Sequence, residues 1–188
     1  MQLRLACLLL ATLARPAVAE PVVYTLDPSH SFVNFELMHF GTSTIRGRFG
    51  PVQGTVTLDR AAGQGRVSLA LDTASVSTGL RVFDARIREG DLLASAAFPQ
   101  ASFVAEHFRF DGDRLAEVRG EFTLRGVSQP LSLFARHFAC ERRALLQREV
   151  CGGDFEAEIQ RSAFGASFGL PFVGDRVRLL VQVEGIRP

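Results

Sequence analysis

The chain has 188 residues, of which 21 are arginine, none is lysine and 20 are acidic. Without lysine, a Schiff-base amine and a phosphate-loop lysine are both excluded. A formal net charge of +1 gives no sign of the clustered basic excess that nucleic-acid binding needs.

The first nineteen residues carry Arg4, an apolar run over residues 5–13, and Ala17-Val18-Ala19 just before Glu20. This pattern predicts a secretory signal peptide with an A-x-A cleavage site. Its apolar run falls well short of the roughly 20 residues of a spanning helix, and no later stretch reaches that length. Cys7 stands too near the start to follow the apolar region that a lipoprotein acylation signal requires. Removal of residues 1–19 leaves 20–188, one domain by length, with 19 arginines against 20 acids.

Export places Cys140 and Cys151 in an oxidising compartment, where a disulfide between them is expected. Closing so short a loop is worth roughly 3 kcal/mol on the chain-entropy model. A zinc site is disfavoured, because C-x-x-C spacing and neighbouring histidines are missing.

From residue 31 onward the sequence alternates with period two between glycine and proline breaks, which predicts an antiparallel all-β protein. Over residues 31–39 the odd positions Val33, Phe35, Leu37 and His39 form the buried face. Val52, Gly54, Val56 and Leu58 share a face in the next run, and Val67, Leu69 and Leu71 in the third. From residue 80 to 87 the period lengthens: Leu80, Phe83 and Ile87 predict a short amphipathic helix within a loop ending near Pro99.

Strand signals resume with "ASFVAEHFRF", an Asp-Gly turn, and "LAEVRGEFTL" with Val118, Gly120, Phe122 and Leu124 on one side. "RGVSQP" reads as a turn into "LSLFARHFA", and residues 141–153 as a solvated connection tied by the disulfide. Phe155, Ala157 and Ile159 face one way in the next run; Val177, Leu179, Val181 and Val183 do so in the last. About eight strands and one helix result. Eight antiparallel strands can close into a barrel wide enough for one small ligand, and a two-sheet sandwich is the competing architecture.

"GASFG" at residues 165–169 matches the G-x-S-x-G nucleophile elbow, which lifts a serine on a strand-to-helix turn with its histidine later in the chain. Pro171 stands where that helix should run, and no histidine follows His137, so Ser167 is not expected to be catalytic. His30, His39, His107 and His137 have no metal-ligand spacing, and His30 and His39 differ in strand parity. Sixteen phenylalanines with one tyrosine and no tryptophan suit either a packed core or the lining of a cavity for a long apolar ligand.

The stretch "YTLDPSHSFVNFELMHFGTSTIRGRFGPVQGTVTLD" resembles the start of the YceI-like family of exported, lipocalin-like, polyisoprenoid-binding proteins. The pattern D-P-x-H-S, H-x-G and G-x-F is met by Asp27, Pro28, His30, Ser31, His39, Gly41, Gly47 and Phe49. Later matches are Asp72, Ser75, Thr78 and Gly79, then Gly120, Leu124, Gly126 and Val127, then Arg161, Ser162, Phe164 and Gly165. The resemblance covers nearly all of residues 20–188, and it places "RSAFG" in a turn. One segment departs: where the family shows R-D-x-H-L-R-S-x-D-F-F, this chain reads "FDARIREGDLL", with Phe83, Arg86, Glu89, Leu92 and Leu93 at altered positions.

The resemblance implies an eight-stranded, lipocalin-like antiparallel β-barrel with one short helix. It would be periplasmic and non-catalytic, and would need neither metal nor cofactor. Its partner would be an amphiphilic isoprenoid lipid, polyprenyl or quinone-like. Transient membrane contact and a homodimer both remain compatible, whereas nucleic acid is not expected. Tail contact is expected from Val33, Phe35 and Leu37, from Phe49, Val56 and Leu69, and farther along from Phe122, Leu124, Phe155, Phe164, Leu179 and Val181. His39, Arg81 and Arg86 are candidates for the polar head, since arginine offers phosphate a forked set of donors. The alternatives are an exported sandwich with a filled core, or a hydrolase-type enzyme.

Overall fold

A computed structural model describes residues 20–188; the expected signal peptide, residues 1–19, lies outside the described residues. The strands are β1 (Val22–Leu26), β2 (Phe32–His39), β3 (Ser43–Phe49), β4 (Gln53–Asp59), β5 (Gln64–Asp72), β6 (Gln100–Asp111), β7 (Arg114–Leu124), β8 (Val127–Arg143), β9 (Arg148–Gln160) and β10 (Val173–Ile186). Among the described residues the single α-helix, α1 (Arg81–Ile87), stands between β5 and β6, and one-turn 3-10 helices occupy Thr73–Ser75 and Arg161–Phe164. Among the described residues no helix is long and apolar enough to cross a membrane.

All pairings are antiparallel, and β1, β4, β5, β6, β7, β8, β9 and β10 close into an eight-strand ring through the pairing of β1 with β10. Closure excludes the two-sheet sandwich. The β2–β3 hairpin extends the wall at one end, because the long strand β10 carries two partners on one edge. Its residues 173–182 pair with β2, and Gly185 and Ile186 with β1. The outer edge of β3 meets the rest of the wall at an isolated bridge between Arg48 and Ser77.

Inward faces follow the period-two reading. Val33 lies opposite Val181, Phe35 opposite Leu179 and Leu37 opposite Val177; on the other side of β10, Ala157 faces Leu179 and Phe155 faces Val181. These residues belong to one apolar cluster fed by every ring strand except β1. A Cβ on Gly47 would stand 2.5 Å from the Phe35 ring. The glycine therefore leaves room for Phe35 to lie across the opposite position of β3.

Three features differ from the sequence reading. β1 and β3 are strands that it did not mark. Residues 141–153 are not a loose connection: β8 and β9 continue as a hairpin, joined by the Cys140–Cys151 disulfide between directly paired positions. Val150 and Cys151 are buried and pair with β10 as well as β8, and only the tip beyond them, residues 141–148, is exposed, so Arg142, Arg143 and Arg148 fit there as well as in a loop. The turn expected over residues 125–130 is confined to Arg125 and Gly126, whose φ angles of 54° and 72° make the tight left-handed turn of a two-residue hairpin. Pro130 already sits in β8, opposite Glu121.

The D-P-x-H-S stretch forms the joint between β1 and β2. Ser29 donates to Asp27 from its backbone N–H (2.9 Å) and its hydroxyl (2.6 Å), and the His30 ring lies 2.8 Å from the same carboxylate. These contacts hold Asp27 down to a pKa of about 2. Ser31 is fully buried and its hydroxyl accepts from the Glu184 N–H at 3.2 Å, tying the joint to β10. His30 thus serves a turn at one end of β2, while His39 ends the same strand.

Candidate functional site

The barrel interior is hollow. Above its middle lies a cavity of about 460 Å³, within the ~300–1,000 Å³ range of small-molecule sites. A lower chamber of about 60 Å³ lies toward the β1 end, lined by Tyr24, Leu58, Phe108 and Phe155 among others.

Most side chains expected to meet a ligand line the larger cavity: Val33, Phe35, Leu37 and His39 from β2, Phe49 from β3, Leu69 from β5, Phe122 and Leu124 from β7, Leu179 and Val181 from β10, and Arg86 from α1. Val56 and Phe155 line the lower chamber instead. Phe164 lines neither; it is packed beneath the wall, edge-on to Phe122 at 5.5 Å. Arg81 is exposed at the start of α1 and borders neither cavity.

The cavity reaches the surface among Phe40, Phe168 and Phe172, which line it yet are 58, 53 and 64% exposed. Phe40 and Phe172 stack with ring centres 5.7 Å apart, and the Phe40 N–H donates to the Phe172 carbonyl at 2.7 Å. Sequence reasoning missed all three. Phe168 and Phe172 sit in an irregular loop, where periodicity carries no signal.

That loop is shaped by Arg161, a buried guanidinium at the end of β9. It donates from Nε to the Gly174 carbonyl (2.8 Å), from Nη1 to those of Ala166 (2.6 Å) and Phe168 (2.9 Å), and from Nη2 to that of Val173 (2.9 Å). Burial pushes its pKa down from the ordinary arginine value. Ser167, the serine of the elbow-like motif, is exposed in this loop, and the chain turns from there into β10 without a helix.

The helix segment whose sequence departs from the family pattern borders the cavity: Phe83, Arg86, Leu92 and Leu93 all line it. Arg86 is already engaged. Its two Nη atoms donate to the Asp91 carboxylate at 2.6 and 2.7 Å, Nη1 also reaches Glu89 at 3.0 Å, and its guanidinium lies 4.1 Å from the centre of the Phe168 ring. The pairing raises the Arg86 pKa and lowers that of Asp91. The fork expected for phosphate is filled by a carboxylate. Behind it, the buried Asp84 accepts from the Thr78 N–H (2.6 Å) and hydroxyl (2.7 Å), which fastens α1 to the preceding loop and lowers the Asp84 pKa.

The polar side chains of the lining are few: His39, Thr73, Arg86, Ser102 and Arg161. Thr73 is spent on the Phe98 carbonyl at 2.8 Å, and Arg161 and Arg86 on the partners above. Cys140, Cys151 and Glu149 are the metal-donor types that come together among the described residues, and both cysteines are joined in the disulfide. What remains is an apolar chamber with the Ser102 hydroxyl on its wall and one imidazole near its mouth, an arrangement that can exclude water from a hydrocarbon.

Comparison with known proteins accords with this architecture. Protein YceI of Escherichia coli O157:H7 is 31% identical over 175 residues, covering 93% of this chain and 91% of that protein. Burkholderia cenocepacia BcnA superposes with a TM-score of 0.70 at 20% identity, over 85% of this chain and 98% of its own. A polyisoprenoid binding domain from Saccharophagus degradans, implicated in plant cell wall breakdown, superposes with a TM-score of 0.60 at 19% identity, over 89% and 99%. Residues 24–185 match the YceI-like domain, so a closed barrel that carries the family's ordered motifs from its first strand to its last makes this chain a member of the YceI-like family.

Proposed function

We propose that residues 20–188 form a periplasmic domain, exported by a cleaved signal, that binds and sequesters or carries an amphiphilic isoprenoid lipid without chemical change. The observation that carries this reading is the 460 Å³ chamber walled by aliphatic and phenyl side chains and reaching the surface at Phe40, Phe168 and Phe172. Its driving force is desolvation. At about 0.8 kcal/mol per buried methylene, a ten-carbon tail gains roughly 8 kcal/mol before the costs of binding are subtracted.

In this reading Val33, Phe35, Leu37, Phe49, Leu69, Phe122, Leu124, Leu179 and Val181 hold the tail, and His39 meets the polar head. Arg86 shapes the entrance through Asp91 and Phe168, with no free fork for a phosphate. The polyisoprenoid-binding neighbour supports the ligand class, and the scarcity of unspent polar groups in the lining supports binding over catalysis. The test is organic extraction of the protein purified from its native host, followed by mass spectrometry. A prenyl or quinone-like lipid at near-stoichiometric amount is the expected result; a well-folded, lipid-free protein that also takes up no added prenol would overturn the reading.

A further inference from the structure

Four side chains line both the larger cavity and the lower chamber: Leu69 on β5, Phe103 on β6, Leu133 on β8 and Val181 on β10. Strands β6 and β10 stand four places apart in the eight-strand ring, so Phe103 and Val181 approach from opposite walls. Leu69 is the register partner of Phe103 on the neighbouring strand. Phe103, Leu133 and Val181 are buried and belong to the same apolar cluster. Together they make an apolar floor across the barrel, with empty space on both sides of it.

We infer that this floor, with Phe103 as its largest member, is a ruler that sets the length of prenyl chain the protein takes up. The inference rests on the lipid-binding reading above. A methylene fills about as much space as one water's ~30 Å³ share of the liquid, so 460 Å³ accommodates about fifteen carbons, or three isoprene units. The 60 Å³ on the other side of the floor would add about two carbons, and Phe103 is the largest side chain standing between the two spaces. A longer tail leaves its excess outside the mouth, in water, where the added carbons contribute nothing to affinity. Removing the Phe103 ring joins the chambers and adds the ring's own volume, which lengthens the usable tunnel toward Tyr24 and Phe108. The floor consists of hydrocarbon alone, so it discriminates by length and not by head group.

The test uses the purified protein and all-trans prenols of ten, fifteen, twenty and thirty carbons, with Kd read by displacement of a fluorescent apolar probe. For the wild type, affinity should rise from ten to fifteen carbons and change less than about threefold beyond, whereas Phe103→Ala should bind the twenty-carbon prenol ~10-fold or more tighter than the fifteen-carbon one. Leu133→Ala, a smaller opening of the same floor, should move the break in the same direction and serves if Phe103→Ala does not fold. A wild-type affinity that climbs steadily through thirty carbons overturns the ruler, as does a break that stays at fifteen in a folded floor variant. Failure of every prenol to bind the wild type overturns the lipid-binding reading itself, and so the two failures are distinguishable.

Discussion

Replacing Arg161 by alanine tests whether the mouth of the cavity is built on a single buried cation. The guanidinium donates four hydrogen bonds of 2.6–2.9 Å to the carbonyls of Ala166, Phe168, Val173 and Gly174. Hydrogen bonds involving a charged group contribute about 1.5–3 kcal/mol each, which would sum to ~6–12 kcal/mol if nothing relaxed. The loop lies beside the mouth, where freed carbonyls can turn to water. Loss of a buried charged hub with such partial recovery costs ~3–5 kcal/mol. Arg161→Lys, with three donors on a point charge in place of a planar five-donor fork, should recover about half of that. Equilibrium urea unfolding followed by far-UV circular dichroism measures both losses, and for a domain of this size ~3–5 kcal/mol lowers Tm by about 6–20 °C. The loop also carries Phe168 and Phe172, so ligand affinity should fall in the same order as stability. An Arg161→Ala protein within about 1 kcal/mol of the wild type would refute the reasoning, since the four bonds would then be replaced at no cost.

Leu37→Trp puts a larger ring into existing empty space, so it should weaken prenol binding by ~10-fold or more while stability stays within about 1.5 kcal/mol, as paired titration and urea unfolding would reveal. Reduction of the Cys140–Cys151 disulfide, or the Cys140→Ser/Cys151→Ser double variant, should cost about 3 kcal/mol in the same unfolding assay while leaving prenol affinity unchanged, because neither cysteine lines the larger cavity and Cys151 borders the lower chamber instead. The Asp27 carboxyl, held down to a pKa of about 2 by Ser29 and then His30, makes a contribution to stability that is fully present above its unfolded value near 3.9 and is lost as pH falls through about 2. Carbon-detected NMR titration should find that value and see it rise in His30→Ala.

The inward faces were legible because a barrel wall has only two sides, and period-two alternation sorts residues onto them. Val33, Phe35 and Leu37 needed no tertiary information to be placed with Leu179 and Val181. β3 was invisible for a physical reason: its inward positions are Ile45, Gly47 and Phe49, and the glycine is there because the Phe35 ring already covers that position. Apolar surface supplied by a neighbouring strand leaves no trace in the strand's own sequence. Pairing along the chain likewise hides depth. Val56 and Phe155 have the expected inward parity but stand below the level of Phe103, a distinction that depends on the stagger of the strands around the ring. Arg161 was noted as a family match, but its role depends on four carbonyls that no side-chain pattern records. The forked donors that make Arg86 a candidate for a polar head are taken by Asp91, five residues on, a pairing set by the turn after α1 and not by any period in the sequence.

The bridge between Arg48 and Ser77 bears on how the wall yields. There β3 is held to the neighbouring loop by two main-chain hydrogen bonds of 2.9 Å, one in each direction, with a third from the Gly50 N–H to the Ser75 hydroxyl at 3.1 Å. Every other junction around the upper circumference is a full ladder, whose parting would expose a whole row of donors and acceptors. In the lipid-binding reading a bulky guest would strain this seam first, and the vessel would give sideways along one line while its depth stays put. On that reading girth and reach would be governed by separate parts of the molecule, so that one could change in evolution or by design without disturbing the other.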